Sequence, residues 1–158
     1  MVMADPTTVA GSVRDPELPE LTLHDLGIVR RVVVEHGTVF VTITPTYTGC
    51  PATQFIAGEI ETALHDAGWP RVQVRTALSP AWTSDWITEH GRQTLQQMGI
   101  GQPASMGNGF DQAVAAPVAC PRCGSMRTRR VGMFGTSPCR EPFVCGACAE
   151  SFERIKPI

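Results

Sequence analysis

The chain has 158 residues, 42% of them hydrophobic and 18% charged, which excludes intrinsic disorder and fits one ordinary domain or a small domain with a smaller module. The formal net charge is only −2, yet residues 1–116 carry six basic and twelve acidic side chains, a net of −6, and residues 117–158 carry seven basic and three acidic, a net of +4. This asymmetry predicts two modules. No apolar run approaches the roughly 20 residues of a membrane span, and Met1-Val-Met-Ala-Asp-Pro6 lacks the basic start and apolar core of a signal peptide. The expected location is the cytoplasm, where thiols stay reduced, so six cysteines point to metal or thiol chemistry before disulfides.

The residues before Asp15 read as a weak helix. Asp15-Pro-Glu-Leu-Pro19 cannot be helix interior, because each proline drives its predecessor out of the α region. Thr22 with Asp25 three positions on fits an N-cap and an acidic N3 residue around one helical turn, Thr22–Leu26, stopped by Gly27. Ile28–Glu35 is valine-rich and reads as a strand. His36-Gly37 makes a tight turn, and Thr38–Thr44 returns with Val39, Val41 and Ile43 on one face and Phe40, Thr42 and Thr44 on the other. Pro51–Ala67 is the strongest helix: proline suits its first position, and Ala52, Phe55, Ile56, Ile60, Ala63, Leu64 and Ala67 trace a buried stripe. Gly68 and Pro70 end it. Arg71–Leu78 reads as a third strand and Asp85–Met98 as another helix, stopped by Gly99. Residues 99–119 are dense in glycine, proline and alanine without periodicity, the signature of a linker. The expected division is a first domain over 1–98, a linker over 99–117 and a terminal module over 118–158.

Cys120-Pro-Arg-Cys123 and Cys145-Gly-Ala-Cys148 are two Cys-x-x-Cys knuckles with 21 residues between them. Each can aim two thiolates at one ion, and a hairpin between them closes a tetrahedral four-sulfur site, the pattern of a structural zinc ribbon. Iron in a rubredoxin-like site takes the same ligands, and the spacing does not separate the two metals. Redox use of the knuckles lacks a βα context. A ribbon of about 40 residues is too short to fold on its core alone, so metal supplies most of its stability, on the order of 10 kcal/mol. Cys139 is left over: an ordinary ribbon residue, a second functional thiol and a ligand in exchange with one of the four all remain open. Arg122, Arg127, Arg129, Arg130 and Arg140 make the ribbon basic, but few aromatics and no recognition helix argue against nucleic acid.

Cys50, in Thr48-Gly-Cys-Pro51, stands alone before the strongest helix. There a thiolate meets free backbone N–H groups and the positive end of the helix dipole, favouring nucleophilic attack or soft-metal ligation. The competing reading is a small buried hydrophobe without a task. His24, His36, His65 and His90 sit in unrelated contexts, so no Cys-His nucleophile is completed.

Asp15-Pro-Glu-Leu-Pro19, Asp25-Leu-Gly27, Thr48-Gly-Cys-Pro51 and Ser79-Pro-Ala-Trp-Thr-Ser-Asp-Trp86 together resemble the small domain of SufT-like and eukaryotic cytosolic iron–sulfur assembly factors. With the cysteine-rich tail added, nearly the whole chain outside the linker resembles the PaaD (PaaJ) family, accessory subunits of phenylacetyl-CoA epoxidase systems in aerobic phenylacetate degradation. The resemblance implies an α+β first domain, with helices on one face of a small mixed sheet, followed by a zinc ribbon. It implies partners among the epoxidase components, the flavin- and iron–sulfur-containing reductase or the di-iron oxygenase; a homodimer through the first domain is a separate expectation. It also implies that Cys50 handles iron or an iron–sulfur cluster in transit, with Cys139 as a candidate second thiol, and that the chain is not itself an enzyme. Relatives in the broader assembly family read Asp-Pro-Pro-Trp where this chain has Leu78-Ser-Pro-Ala-Trp82; any role of that aspartate is missing here or moved to Asp85. The rival readings are a non-catalytic docking component of the oxygenase complex and a nucleic-acid-binding ribbon.

Overall fold

The computed structural model describes residues 2–158, which form two compact units, Met1–Trp82 and Thr83–Ile158. The first begins with helix α1 (Pro6–Ser12), whose N-cap Asp5 accepts the Thr8 N–H at 2.8 Å. The Asp-Pro-Glu-Leu-Pro segment then turns around Asp15, whose Oδ1 accepts the N–H groups of Glu17 and Leu18 at 2.9 and 2.8 Å. At Thr22 the expected cap forms reciprocally: Thr22 Oγ1 accepts from Asp25 N at 3.1 Å, and Asp25 Oδ2 accepts from Thr22 N at 3.1 Å. Both motif aspartates therefore shape backbone.

Strands β1 (Val29–Glu35) and β2 (Thr38–Ile43) pair antiparallel, joined by His36 (φ 49°) and Gly37 (φ 75°) in a two-residue turn that needs positive φ at both positions. Helix α2 (Ala52–Asp66) crosses back so that β3 (Val72–Thr76) pairs parallel with β2, and the sheet order is β1-β2-β3. Val39, Val41 and Ile43 are buried on one face of β2, and Ile56, Ile60 and Leu64 form the buried stripe of α2. Phe55 departs from expectation: it is 56% exposed, one position off the Ile56–Ile60–Leu64 line and turned to the outer face of the helix. The helix ends in a Schellman pair, Trp69 N–H to Leu64 O at 3.0 Å and Gly68 N–H to His65 O at 2.9 Å. Trp82 is buried in this unit and donates its indole N–H to Leu26 O at 2.8 Å.

The second unit opens with a 3-10 turn (Ser84–Trp86) and helix α3 (Glu89–Gln97). The predicted helix from Asp85 starts later because Ile87 is extended and Thr88 is the cap, its side chain accepting the Gly91 N–H at 3.0 Å. Strand β4 (Ile100–Gly101), a 3-10 turn (Met106–Asn108) and helix α4 (Phe110–Ala115) follow, then β5 (Thr128–Arg130), β6 (Arg140–Cys145) and β7 (Ser151–Ile155). The sheet order is β4-β7-β6-β5, with only the β4–β7 pair parallel.

Residues 99–117, read from the sequence as a linker, thus carry three elements. Gly101 is where neighbouring side chains close on the backbone: a Cβ there would lie 2.9 Å from Val118 Cγ1 and 3.1 Å from Phe152. Arg154, fully buried, donates to the carbonyls of Val114 and Ala116 at 3.2 and 3.4 Å and to Glu141 Oε1 at 2.6 Å from Nε, with a second, shorter contact from Nη2. Phe143 and Phe152 stack with centroids 5.7 Å apart, and the Arg154 guanidinium lies 4.9 Å from the Phe143 ring. Among the described residues, no helix is long and apolar enough to cross a membrane.

Candidate metal centre

The two knuckles are built alike. Cys120 N donates to Ser125 O at 2.9 Å and its carbonyl accepts from Gly124 N at 2.8 Å; Cys145 N donates to Glu150 O at 2.9 Å and its carbonyl accepts from Ala149 N at 3.0 Å. Each loop closes four residues after its first cysteine on a left-handed residue, Gly124 at φ 73° and Ala149 at φ 61°. The glycine after Cys123 announces the first of these turns in the sequence. An alanine in the same conformation gives no such signal.

This folding brings the four sulfurs within 4.8 Å of one another, with Cys120–Cys148 at 3.8 Å and Cys123–Cys145 at 3.7 Å. A tetrahedral ion with sulfur ligands at about 2.3 Å sets its ligands roughly 3.8 Å apart, the spacing of these two pairs, so the donor set suits a four-coordinate metal ion. Cys120 and Cys145 are buried and Cys123 and Cys148 face outward. The Cys145 thiol is lowered to about 6, first by the Cys148 amide; the Ala147 N–H, 3.3 Å from its sulfur, and the neighbouring thiols add to this. Cys148 is pushed up to about 12: the Glu150 amide pulls the other way, and burial with the Cys123, Cys145 and Cys120 contacts outweighs it. Four crowded thiols cannot all ionise without a cation, and this uneven proton distribution is the consequence. Arg122 bridges the knuckles through Glu150 at 2.7 Å.

The other two thiols lie outside this group. Cys139 is half-buried, its sulfur 3.1 Å from Ser137 Oγ and its carbonyl accepting the Lys156 N–H at 2.9 Å. Cys50 is half-exposed, in the segment that leads from β2 to α2. Its N–H reaches Tyr47 O at 3.3 Å and its carbonyl accepts the Thr53 N–H at 3.1 Å. Among the described residues its sulfur accepts no hydrogen bond, so the first turn of α2 is met by the carbonyl of Cys50 rather than by its thiolate. Asp85, one of the two alternatives for the aspartate that this chain lacks, accepts Met106 N–H at 3.0 and 3.1 Å and fastens the second 3-10 turn of its own unit. Nothing in the sequence singles out the Glu141–Arg154 pair, since strand charges with no local pattern give no sign of a buried partner.

Two family models match the chain, that of the iron–sulfur cluster assembly protein over residues 9–77 and that of the PaaD zinc β-ribbon domain over residues 105–156. A protein of Escherichia coli K12, provisionally named as one of the subunits of 1,2-phenylacetyl-CoA epoxidase, is 40% identical over 92% of this chain and 87% of its own. Proteins named Fe-S protein maturation auxiliary factors, from Porphyromonas gingivalis and Bacillus subtilis, are each 34% identical; they cover 53% and 52% of this chain and 81% and 82% of their own lengths. The crystal structure of a domain of unknown function, DUF59, from Bacillus anthracis matches with a TM-score of 0.53 and 22% identity, over 57% of this chain and 87% of that one, a likeness of fold. With the assembly-type model over the first unit, the ribbon model over the second and the Escherichia coli epoxidase relative spanning nearly both, the chain belongs to the PaaD family.

Proposed function

We propose that the protein is an accessory maturation factor of a phenylacetyl-CoA epoxidase system, with no reaction of its own. The names carried by its relatives support this: an epoxidase component over most of the chain, and iron–sulfur maturation factors over the first unit. On this reading the four clustered thiolates hold zinc permanently. A closed set of four protein ligands leaves no open position for substrate, so the ion builds the second unit.

Metal traffic falls to Cys50. The observation that carries the proposal is a half-exposed thiol at the strand-to-helix junction of the assembly-type unit, outside the four-cysteine group. One thiolate binds iron softly and reversibly, as handover requires, and a cluster needs about four. The remaining ligands come from the client or from a second copy. The iron–sulfur flavin reductase is the first client to test and the di-iron oxygenase the second.

Protein purified without oxygen, native and Cys50→Ser, is compared for iron and zinc, and Cys50→Ala is co-expressed with the reductase. Iron disappears with Cys50 while zinc stays, and the reductase emerges without its cluster. Equal iron in both forms, or normal cluster occupancy in the client, refutes delivery. A docking role is the second reading, favoured by exposed apolar side chains on the ribbon: Val131, Met133 and Phe134 are 48%, 67% and 69% exposed. It predicts tolerance of Cys50→Ala and loss of the complex in Met133→Ser with Phe134→Ser.

A further inference from the structure

Strand β1 is an outer strand of the first sheet. The β1–β2 turn determines which of its backbone groups remain available. In a two-residue hairpin the closing pair, here Glu35–Thr38, is hydrogen-bonded, and hydrogen-bonded and open pairs then alternate. Val33–Phe40 and Arg31–Thr42 are therefore bonded pairs in this register. The Val39 N–H points the other way, to Arg71 O at 2.9 Å, which confirms the alternation. The N–H and C=O groups of Val32 and Val34 thus face away from the sheet along a free edge.

That edge reads Arg31-Val-Val-Val-Glu35, a sequence whose charges are complementary to its own reverse. Arg31, Val33 and Glu35 share one face, Val32 and Val34 the other. Arg31, Val34 and Glu35 are exposed, Val34 at 45%. Among the described residues, the side chains of Arg31 and Glu35 make no hydrogen bond or ion pair within the chain. The edge carries no lysine and no proline, the usual protections of an exposed strand. Its one irregularity, the register shift between Val29 and Arg31, lies outside this five-residue run.

We propose that β1 pairs antiparallel with β1 of a second copy about a two-fold axis through Val33, joining two three-stranded sheets into one. In this register Val32 of one copy lies opposite Val34 of the other, and each such pair exchanges both backbone hydrogen bonds through the outward-facing groups. Val33 meets Val33, and Arg31 meets Glu35 twice, on the same face. Arg31 and Glu35 fall in open pairs, where opposed side chains come closest. The neighbouring register, with the axis through Val32, sets Arg31 against Val33 and leaves Glu35 with Val29, so the charges select the proposed one. The inference is independent of the metal-delivery reading and concerns a face that the four-cysteine site does not use.

The full chain, metal-loaded, is studied by sedimentation velocity across a concentration series, with circular dichroism checking the fold of each variant. Native protein shows a reversible dimer that weakens as salt rises. Arg31→Glu or Glu35→Arg alone places like charges opposite each other at both ends and raises the dimer Kd by about tenfold or more. Mixing the two variants restores association, because every mixed pair again joins opposite charges. Val34→Pro removes an outward N–H that the fold does not use and abolishes the dimer with the fold intact. A native chain that stays monomeric throughout the series overturns the proposal. So does a dimer indifferent to these substitutions, or a mixture no stronger than its components.

Discussion

The buried pair Glu141–Arg154 offers the sharpest test of how the second unit is held. Arg154 is fully buried and Glu141 3% exposed; one carboxylate oxygen takes both Arg154 contacts and the other takes Arg130 at 3.2 Å. Removing one partner of such a pair costs about 3–5 kcal/mol, because the charge left behind has neither water nor counterion. Glu141→Leu strands the guanidinium with only the Val114 and Ala116 carbonyls, so a cost of about 4 kcal/mol is expected. Arg154→Met leaves Glu141 with a single, half-exposed arginine and frees those carbonyls, for roughly the same loss. The double variant buries neither charge, and its apolar side chains join Phe143 and Phe152; its cost is about 1–2 kcal/mol, mostly from the two carbonyls. Denaturant unfolding at fixed excess zinc measures all three, since free metal concentration otherwise shifts apparent stability. In a unit this small each kcal/mol moves Tm by roughly 4–8 °C. Additive losses in the double variant would refute the reasoning, for they would mean that neither charge depends on the other.

Ala149 sits at φ 61°, a conformation that costs non-glycine residues about 1 kcal/mol. Ala149→Gly is expected to stabilise the metal-loaded protein by about 0.5–1 kcal/mol and Gly124→Ala to destabilise it by at least as much, read from denaturation midpoints. Gly101→Ala places a methyl group 2.9 Å from Val118 Cγ1, and overpacking of this kind costs about 1–3 kcal/mol; an unchanged midpoint would show that the close approach relaxes freely. Metal affinity, measured by chelator competition, falls as pH drops, because ligands bind as thiolates and protons compete for them. Cys148, pushed up to about 12, gives up a proton on binding throughout the neutral range, whereas Cys145, at about 6, adds to the dependence only as pH falls towards that value. The slope is about tenfold per pH unit for each proton displaced.

The parts that could be read from the residues are those with a local period. Val39, Val41 and Ile43 alternate, Ile56, Ile60 and Leu64 recur at helical spacing, and both knuckles keep their two-residue gap, so hairpin, helix and four-sulfur group were all legible. What failed to show depends on distant partners. Gly101 looks like flexibility until Val118 and Phe152 close on it. Arg154 looks like a solvated strand charge until Glu141 and two carbonyls from 114–116 surround it. These contacts turn a stretch with the composition of a linker into part of a packed unit. The late start of α3 is different in kind: Thr88 followed by Glu89 is a cap that the residues themselves display, three positions after the predicted start at Asp85.

Thiol alkylation separates metal ligation from simple accessibility, because the two make opposite predictions for the same residues. By exposure alone, Cys123 and Cys148 are open, Cys50 and Cys139 intermediate, and Cys120 and Cys145 buried; a neutral reagent would then modify Cys123 and Cys148 first. With an ion held by the four clustered sulfurs, the lone pair each needs for attack is committed to the metal, and exposure ceases to matter. Brief treatment with iodoacetamide followed by peptide mass spectrometry should then find Cys50 labelled ahead of Cys123 and Cys148. Prior removal of metal should bring Cys123 ahead of Cys50, while Cys148, pushed up to about 12, lags despite its exposure and Cys145 is slowed by its burial. Labelling at Cys123 ahead of Cys50 in metal-replete protein would show that the close sulfurs hold no ion, and the zinc-ribbon reading of this chain would fall with it.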